Sequence, residues 1–307
     1  MRITIFLFIF LTGLISAQSN FQLLIYGSSE NAVINPIYSP DGNKIAYTKS
    51  GYQGIWIYDI STKSSKQITD EPAAGFGFKW SSDSQSILCR VAKYDEMKRF
   101  NAVKVFDIES NQSLQLTDYK TRMPYLPEWS DQDTKVILPT KEGVEVYNSG
   151  KLKKSISTSS EINTYTKYDK IVTRNTVTES EKIFEPIKDV QVINLVTSPD
   201  NQKVAFEVMG GNMYSMNIDN TNLTDLGKGD RPQWSSDSKK IIYMITEDDG
   251  HEFTASDIFI INADGTLKIN LTNTNDIIEM NPCISPDGKT VVFDDYNDGS
   301  IYLMNID

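Results

Sequence analysis

Histidine is nearly missing from this chain: His251 is the only one in 307 residues. A metal centre built on several imidazoles is therefore excluded. Cysteine is scarce as well, with Cys89 and Cys283 the full complement. Neither a thiolate zinc site nor a disulfide framework can be assembled from two. There is no Gly-x-Ser-x-Gly elbow to present a serine nucleophile. There is no glycine-rich phosphate loop either, and Gly210-Gly211 and Gly227-Lys228-Gly229 read as turns between strands. Beyond residue 17 no helical periodicity is visible, and no apolar run approaches the ~20 residues that span a bilayer. Positive charge is in deficit, with 30 Lys and Arg against 41 Asp and Glu, a formal net charge of -11. Such a surface repels phosphate backbones and disfavours anionic lipid, so nucleic acid is not an expected partner.

The one long apolar run lies at the start. Met1-Arg2 supplies a positive charge, residues 3–15 are apolar apart from Thr4, Thr12 and Gly13, and Ser16-Ala17-Gln18 offers a small-residue cleavage site. This pattern is that of a secretory signal over residues 1–17, with an uncleaved anchor as the alternative. The expected product is one domain over residues 18–307, periplasmic or secreted, with no membrane insertion after cleavage.

What the chain has in quantity is a repeat. Ser39-Pro40-Asp41-Gly42 followed by Asn43-Lys44-Ile45-Ala46-Tyr47 returns as Ser285-Pro286-Asp287-Gly288 followed by Lys289-Thr290-Val291-Val292-Phe293. Between them lie Trp80-Ser81-Ser82-Asp83, Trp129-Ser130-Asp131, Ser198-Pro199-Asp200-Asn201 and Trp234-Ser235-Ser236-Asp237. In the Ser-Pro-Asp-Gly form, proline presets φ, aspartate bonds its own backbone and glycine accepts positive φ, so the recurrent serine and aspartate are hairpin chemistry rather than catalysis. Each turn is followed by a β-branched and aromatic stretch. A third piece such as Ile55-Trp56-Ile57-Tyr58-Asp59 comes next, then a short fourth such as Lys66-Gln67-Ile68-Thr69. Four antiparallel strands per unit of about forty residues make a propeller blade.

The gap between Ser130 and Ser198 exceeds one unit. It holds a degraded copy, Tyr165-Thr166-Lys167-Tyr168-Asp169-Lys170-Ile171-Val172, with Thr166 in place of the serine. Counting it gives an all-β propeller of seven blades; six is the count if residues 150–190 form an insertion. The last unit stops after its third strand, and residues 20–26 resemble an orphan fourth strand that would fill the vacancy and close the ring, removing two free edges. The two cysteines fall in non-adjacent units and are expected as buried free thiols.

The Ser-Pro-Asp-Gly-x-x-Ile-Ala-Tyr line, with Ile-Trp-Ile-Tyr-Asp and Gln-Ile-Thr after it, resembles the WD40-like PD40 repeat of the TolB-like propeller family, across residues 20–307. The resemblance implies a propeller that works by binding in the cell envelope. The chain departs from TolB itself: no α/β segment precedes the repeats, and seven repeats stand where TolB has six blades. Related propellers in prolyl oligopeptidases carry a hydrolase domain that this chain lacks. Oligogalacturonate lyases use a histidine-rich metal site that one histidine cannot supply.

Candidate contact residues come from the loops joining second to third strands and from the connections between blades, which share one face of an antiparallel propeller. On that face the sequence places Asp70, Arg122, Met123, Tyr125, Asp230, Arg231, His251, Glu252, Glu279 and Asp295. Met123, Tyr125, Ile278 and Met280 are either exposed contacts or packing. Residues 93–100 add a mixed-charge, aromatic protrusion on the same face. Two acidic clusters, Glu247-Asp248-Asp249 with Glu252 and Asp294-Asp295 with Asp298, do not fit the EF-hand loop pattern. No cofactor is therefore expected, with calcium left open. The expected function is a non-catalytic binding or scaffold propeller, a monomer, recognising an envelope or secreted protein or peptide or a glycan. The alternative is a carboxylate-based glycan hydrolase or lyase working in the central channel, and a third reading is a structural module of a larger assembly.

Overall fold

The computed structural model describes residues 21–151 and 162–306. The signal expected over residues 1–17 lies outside them. The described residues form seven antiparallel sheets, one per repeat. Blade 1 comprises Val33–Tyr38, Lys44–Lys49, Gln53–Asp59 and Ser64–Thr69. Blade 2 has Lys79–Trp80, Ser86–Asp95, Lys98–Asp107 and Ser113–Gln115. Blade 3 has Glu128–Ser130, Lys135–Pro139 and Val144–Asn148, and blade 4 has Ile162–Lys167, Lys170–Asn175 and Glu181–Phe184. Blade 5 has Val192–Thr197, Lys203–Val208, Met213–Asn217 and Thr224–Gly227. Blade 6 has Asp230–Trp234, Lys240–Asp248, Phe253–Asn262 and Ile269–Asn270. Blade 7 has Glu279–Ile284, Thr290–Asp295 and Ile301–Asn305, and its fourth strand is Gln22–Ile25 from the start of the chain.

The degraded copy is thus a blade of its own, and the count is seven. The closing strand is also as expected, though shorter than residues 20–26: Gln22 pairs with Leu303 and Leu23 with Tyr302. Five sheets have four strands; blades 3 and 4 show three among the described residues. In blade 4 Asn163 bonds Ser130 and the Trp129 carbonyl at the turn face and Tyr168 bonds the Lys141 carbonyl at the opposite face, so its three described strands run as the second, third and fourth of a blade.

First strands of neighbouring blades contact one another from blade 5 through blade 7 and on to blade 1, so in these blades the first strand lies innermost. The core is divided into wedges between sheets. Tyr38, Ile45 and Tyr47 of blade 1 meet Cys283, Val292 and Ile301 of blade 7 in one wedge, with Leu24 and Ile25 of the closing strand against it. Ala205 and Met213 of blade 5 meet Trp234, Ile241 and Tyr243 of blade 6 in another. The recurrent indoles stitch these wedges: Trp80, Trp129 and Trp234 donate from Nε1 to the carbonyls of Ile37, Lys79 and Val196 on the preceding blade, at 3.2, 3.3 and 3.2 Å. Both cysteines are buried free thiols, and burial pushes the Cys283 thiol up to about 11.

The recurrent serine and aspartate perform the turn chemistry that their spacing implies. Ser39 Oγ donates to Asp41 Oδ1 at 2.6 Å and accepts from the Lys44 amide at 3.0 Å. The same pair of bonds recurs at Ser198 with Asp200 and Lys203, and at Ser235 with Asp237 and Lys240. The turn also reaches sideways: the Asp41 and Asp200 amides donate to Ser84 and Ser238 on the next blade.

Candidate functional site

The face that carries the second-to-third loops and the connections between blades is uneven because two hairpins outgrow the rest. In blade 2, Ser86–Asp95 and Lys98–Asp107 pair along their whole length, and in blade 6 Lys240–Asp248 pairs with Phe253–Asn262. Both project beyond their shorter neighbours. Residues 93–99 are exposed, with Tyr94 at 61% and Met97 at 100%. Residues 247–254 are exposed too. There Asp249 Oδ1 accepts the amides of His251 and Glu252, so the carboxylate shapes the loop tip. Phe253 meets Tyr296 edge to face at 5.5 Å, an aromatic pair left open to solvent.

Burial divides the ten sequence candidates. Asp70, Arg122, His251 and Glu252 are exposed, and Tyr125, Asp230 and Arg231 are half-buried. Met123, Glu279 and Asp295 are buried, which corrects their reading as contact groups. Met123 packs against Leu88, Val103, Val105, Val136 and Leu138. Ile278 and Met280 are likewise packing, in a cluster with Met244. The physical reason is shared: each connection folds down into the wedge between sheets before its first strand begins, carrying its apolar side chains inward. Tyr125 is held from below, its hydroxyl accepting the Tyr168 amide at 3.3 Å.

Beneath the rim lies a layer of buried polar groups that burial statistics would not lead one to expect. Four innermost strands carry a bulge, where Asn35, Asn194, Arg231 and Asn281 take positive φ of 57, 48, 57 and 49°. At three of them the amide turns toward the preceding blade and meets the fifth residue of its second strand. Asn35 N donates to Asp294 Oδ1 at 2.9 Å, Arg231 N to Glu207 Oε1 at 2.5 Å and Asn281 N to Met244 Sδ at 3.3 Å. In blade 2 the equivalent Arg90 reaches the next connection, donating from Nη1 to the Met123 carbonyl at 2.7 Å. In blade 1 the equivalent Thr48 lies so close to Gly75 of the next connection that a Cβ there would sit 2.0 Å from its Oγ1. These contacts latch five of the seven blades to the next.

Asp294 and Glu207 are filled by this role. Asp294 also accepts from Asn281 Nδ2 at 3.1 and 3.2 Å, and Glu207 from Asn194 Nδ2 at 2.9 Å. Burial pushes the Asp294 carboxyl up to about 7 against the donors and the nearby Arg231 charge. Glu207 is raised for the same reason. Glu279 is fully buried and raised to about 7 by burial. Its Oε1 accepts from Thr274 Oγ1 at 2.8 Å, and its Oε2 has no hydrogen-bond partner. Asp295, directly across the ladder from Glu279, accepts the Ile278 amide at 3.2 Å and is also raised by burial. Among the described residues, no group of three or more His, Cys, Asp or Glu is placed to hold a metal ion. The sequence reading missed Glu207 and the bulge residues other than Arg231. Their signal was the recurrence of Asn35-Pro36, Arg231-Pro232 and Asn281-Pro282 ahead of the hairpin turns.

No protein-family model matches the chain. A 39-residue stretch is 51% identical to the protein TolB homolog of Protochlamydia amoebophila (strain UWE25), which is 12% of this chain and 8% of that protein. Among solved structures, a candidate TolB from Agrobacterium tumefaciens superposes at TM-score 0.55 and 13% identity, over 90% of this chain and 91% of that one. TolB from Acinetobacter baumannii gives 0.50 and 14%, over 92% of this chain and 65% of that one, so the chain spans just under two thirds of it. An oligogalacturonate lyase in complex with manganese gives 0.50 and 13%, over 89% and 76%. At these identities the structural likeness speaks for the fold. In its ring of blades the chain shares the propeller fold of these TolB structures, and in one stretch of 39 residues its sequence is similar to a TolB homolog.

Proposed function

We propose that the chain is an exported, monomeric, non-catalytic propeller that binds an envelope or secreted protein or peptide through the face bearing the two long hairpins. The observation that carries this reading is the contrast across that face. Exposed Tyr94, Met97, His251, Glu252 and Phe253 stand at the hairpin tips, while Asp294 and Glu207 below are engaged by internal donors. Aromatic residues, methionine and arginine are the groups favoured at interface centres. Arg122 at the rim adds a cation to an otherwise acidic surface. The TolB-like fold and the signal-like residues 1–17 support placing the chain in the periplasm or outside the cell.

A second reading, a glycan hydrolase or lyase, is favoured by one feature: carboxyls raised to about 7 beneath the rim, at Asp294 and Glu279, as a general acid or base requires. The fold likeness to an oligogalacturonate lyase points the same way. Incubation of the full chain with oligogalacturonides and with cell-wall glycan fragments separates the two readings. The binding reading predicts that every oligosaccharide is recovered at its starting length. Shortened products from the wild type that vanish with Glu279→Gln would establish the enzyme.

A further inference from the structure

Between blades 6 and 7, buried acceptors outnumber the donors that reach them. The connection from Ile269–Asn270 to Glu279–Ile284 is pinned at Thr274, which is bonded to a carboxylate on either side. Its amide donates to Asp257 Oδ1 at 3.3 Å, and its hydroxyl lies 2.8 Å from Glu279 Oε1. Asp257 belongs to the third strand of blade 6 and Glu279 to the first of blade 7, so one threonine draws together two like charges from neighbouring blades. The donors beside them are already committed. The Thr274 hydroxyl has one proton and two acceptors in reach, Glu279 Oε1 and the Ile277 carbonyl at 3.2 Å. The Thr272 hydroxyl accepts the Ile258 amide at 3.0 Å and donates to Asp257 Oδ1 at 3.1 Å. No donor among the described residues reaches Glu279 Oε2, although the residue is fully buried. Neither carboxylate is paired with a lysine or arginine among the described residues. Buried charges are costly unless a counter-charge or a metal ion faces them.

We propose that Glu279 and Asp257 hold a calcium ion between blades 6 and 7, with Thr274 Oγ1 and the Ile277 carbonyl as further oxygen ligands and water completing the shell. Every donor in the set is oxygen, which selects a hard cation over metals that seek imidazole or thiolate. Two carboxylates with neutral oxygens of different kinds suit the flexible shell of calcium better than the strict octahedron of magnesium. So few negative charges place the affinity in the weak range of extracellular modules, a Kd of about 0.1–1 mM. Asn273, Asn275 and Asp276 are exposed on the same connection and give the ion a path from solvent. Bound there, it ties the third strand of blade 6 to the innermost strand of blade 7. The site is separate from the hairpin-tip contacts of the proposed function.

The test is a calorimetric titration of the chelator-washed full chain with calcium chloride and, separately, with magnesium chloride. Calcium should bind at a single site with a Kd of about 0.1–1 mM, and magnesium about tenfold more weakly or less. Glu279→Gln and Asp257→Asn keep shape and remove charge, and each should weaken calcium by about tenfold or more. Glu247→Gln combined with Asp248→Asn, at the exposed hairpin tip of blade 6, should leave calcium binding unchanged. Hydrogen exchange on the wild type locates the ion directly and serves if a variant fails to fold: calcium should slow the amides of residues 272–279. No calcium binding by the wild type, equal affinity for magnesium, or binding unaltered by both Glu279→Gln and Asp257→Asn would overturn the proposal. Loss of binding in the hairpin-tip variant, or protection confined to residues 247–252, would overturn it as well.

Discussion

Deleting residues 20–26 should lower the stability of the ring by about 3–5 kcal/mol, from the half-buried apolar side chains and ladder bonds that go with them. Gln22–Ile25 is the fourth strand of blade 7 and the clasp between the two ends of the chain. Phe21 packs edge to face on Phe293 at 5.2 Å, and Leu24 and Ile25 lie against the wedge shared by blades 7 and 1. The Gly27 amide donates to Ser300 Oγ at 3.0 Å, and the Val33 amide to the Gly299 carbonyl at 2.8 Å, so the clasp continues into blade 1. Without it, Ile301–Asn305 becomes a free edge, and self-association should accompany the lower stability. Urea denaturation of the full and shortened chains measures the loss. An unchanged midpoint would show that the ring closes without this strand.

Replacing Asp294 should give opposite results for two substitutions. Asp294→Ala strands the Asn35 amide and the Asn281 side chain in a buried site, at a cost of about 3 kcal/mol. Asp294→Asn keeps an oxygen for the Asn35 amide and removes a charge that burial opposes. The folded carboxyl is raised to about 7 from an ordinary value of 3.8. Between those values the folded state holds the proton more tightly than the unfolded one. The stability this contributes is fully present below about 4 and is lost as pH rises through about 7. The asparagine variant lacks that loss. Its melting temperature should therefore exceed that of the wild type at pH 8, by an amount on the order of 1–2 kcal/mol of stability, and should vary less between pH 5 and pH 8. Glu279 and Asp295, raised in the same direction, keep some slope in both proteins. A wild type and an asparagine variant with parallel pH profiles would show that Asp294 is ionised in the fold without penalty.

The fold was largely legible because its determinants are local. Ser39, Asp41 and Gly42 define a hairpin within four residues, and recurrence of that hairpin counts the blades apart from blade 4, whose Tyr168-Asp169 turn lies on the opposite face beside Lys141. The vacancy in blade 7 pointed to the strand that fills it. The site was less legible because it depends on what lies between blades. Met123, Ile278 and Met280 occupy connections with no periodicity, and only the descent of those connections into the wedges buries them. Glu279 and Asp295 look in sequence like an acidic surface. Their burial follows from the amides and hydroxyls of neighbouring elements that turn toward them. Arg231 was chosen as a contact cation, yet its backbone latches Glu207 through a positive φ that no residue type announces.

The most direct test of a binding propeller is affinity capture from the native envelope extract by the full chain and by a variant carrying Tyr94→Ala, Met97→Ala and Arg122→Glu. All three side chains are exposed, so the variant should fold and melt as the wild type does. The account predicts a partner retained by the wild type and lost by the variant. A partner retained equally by both proteins would contradict it and remove the hairpin face from the function.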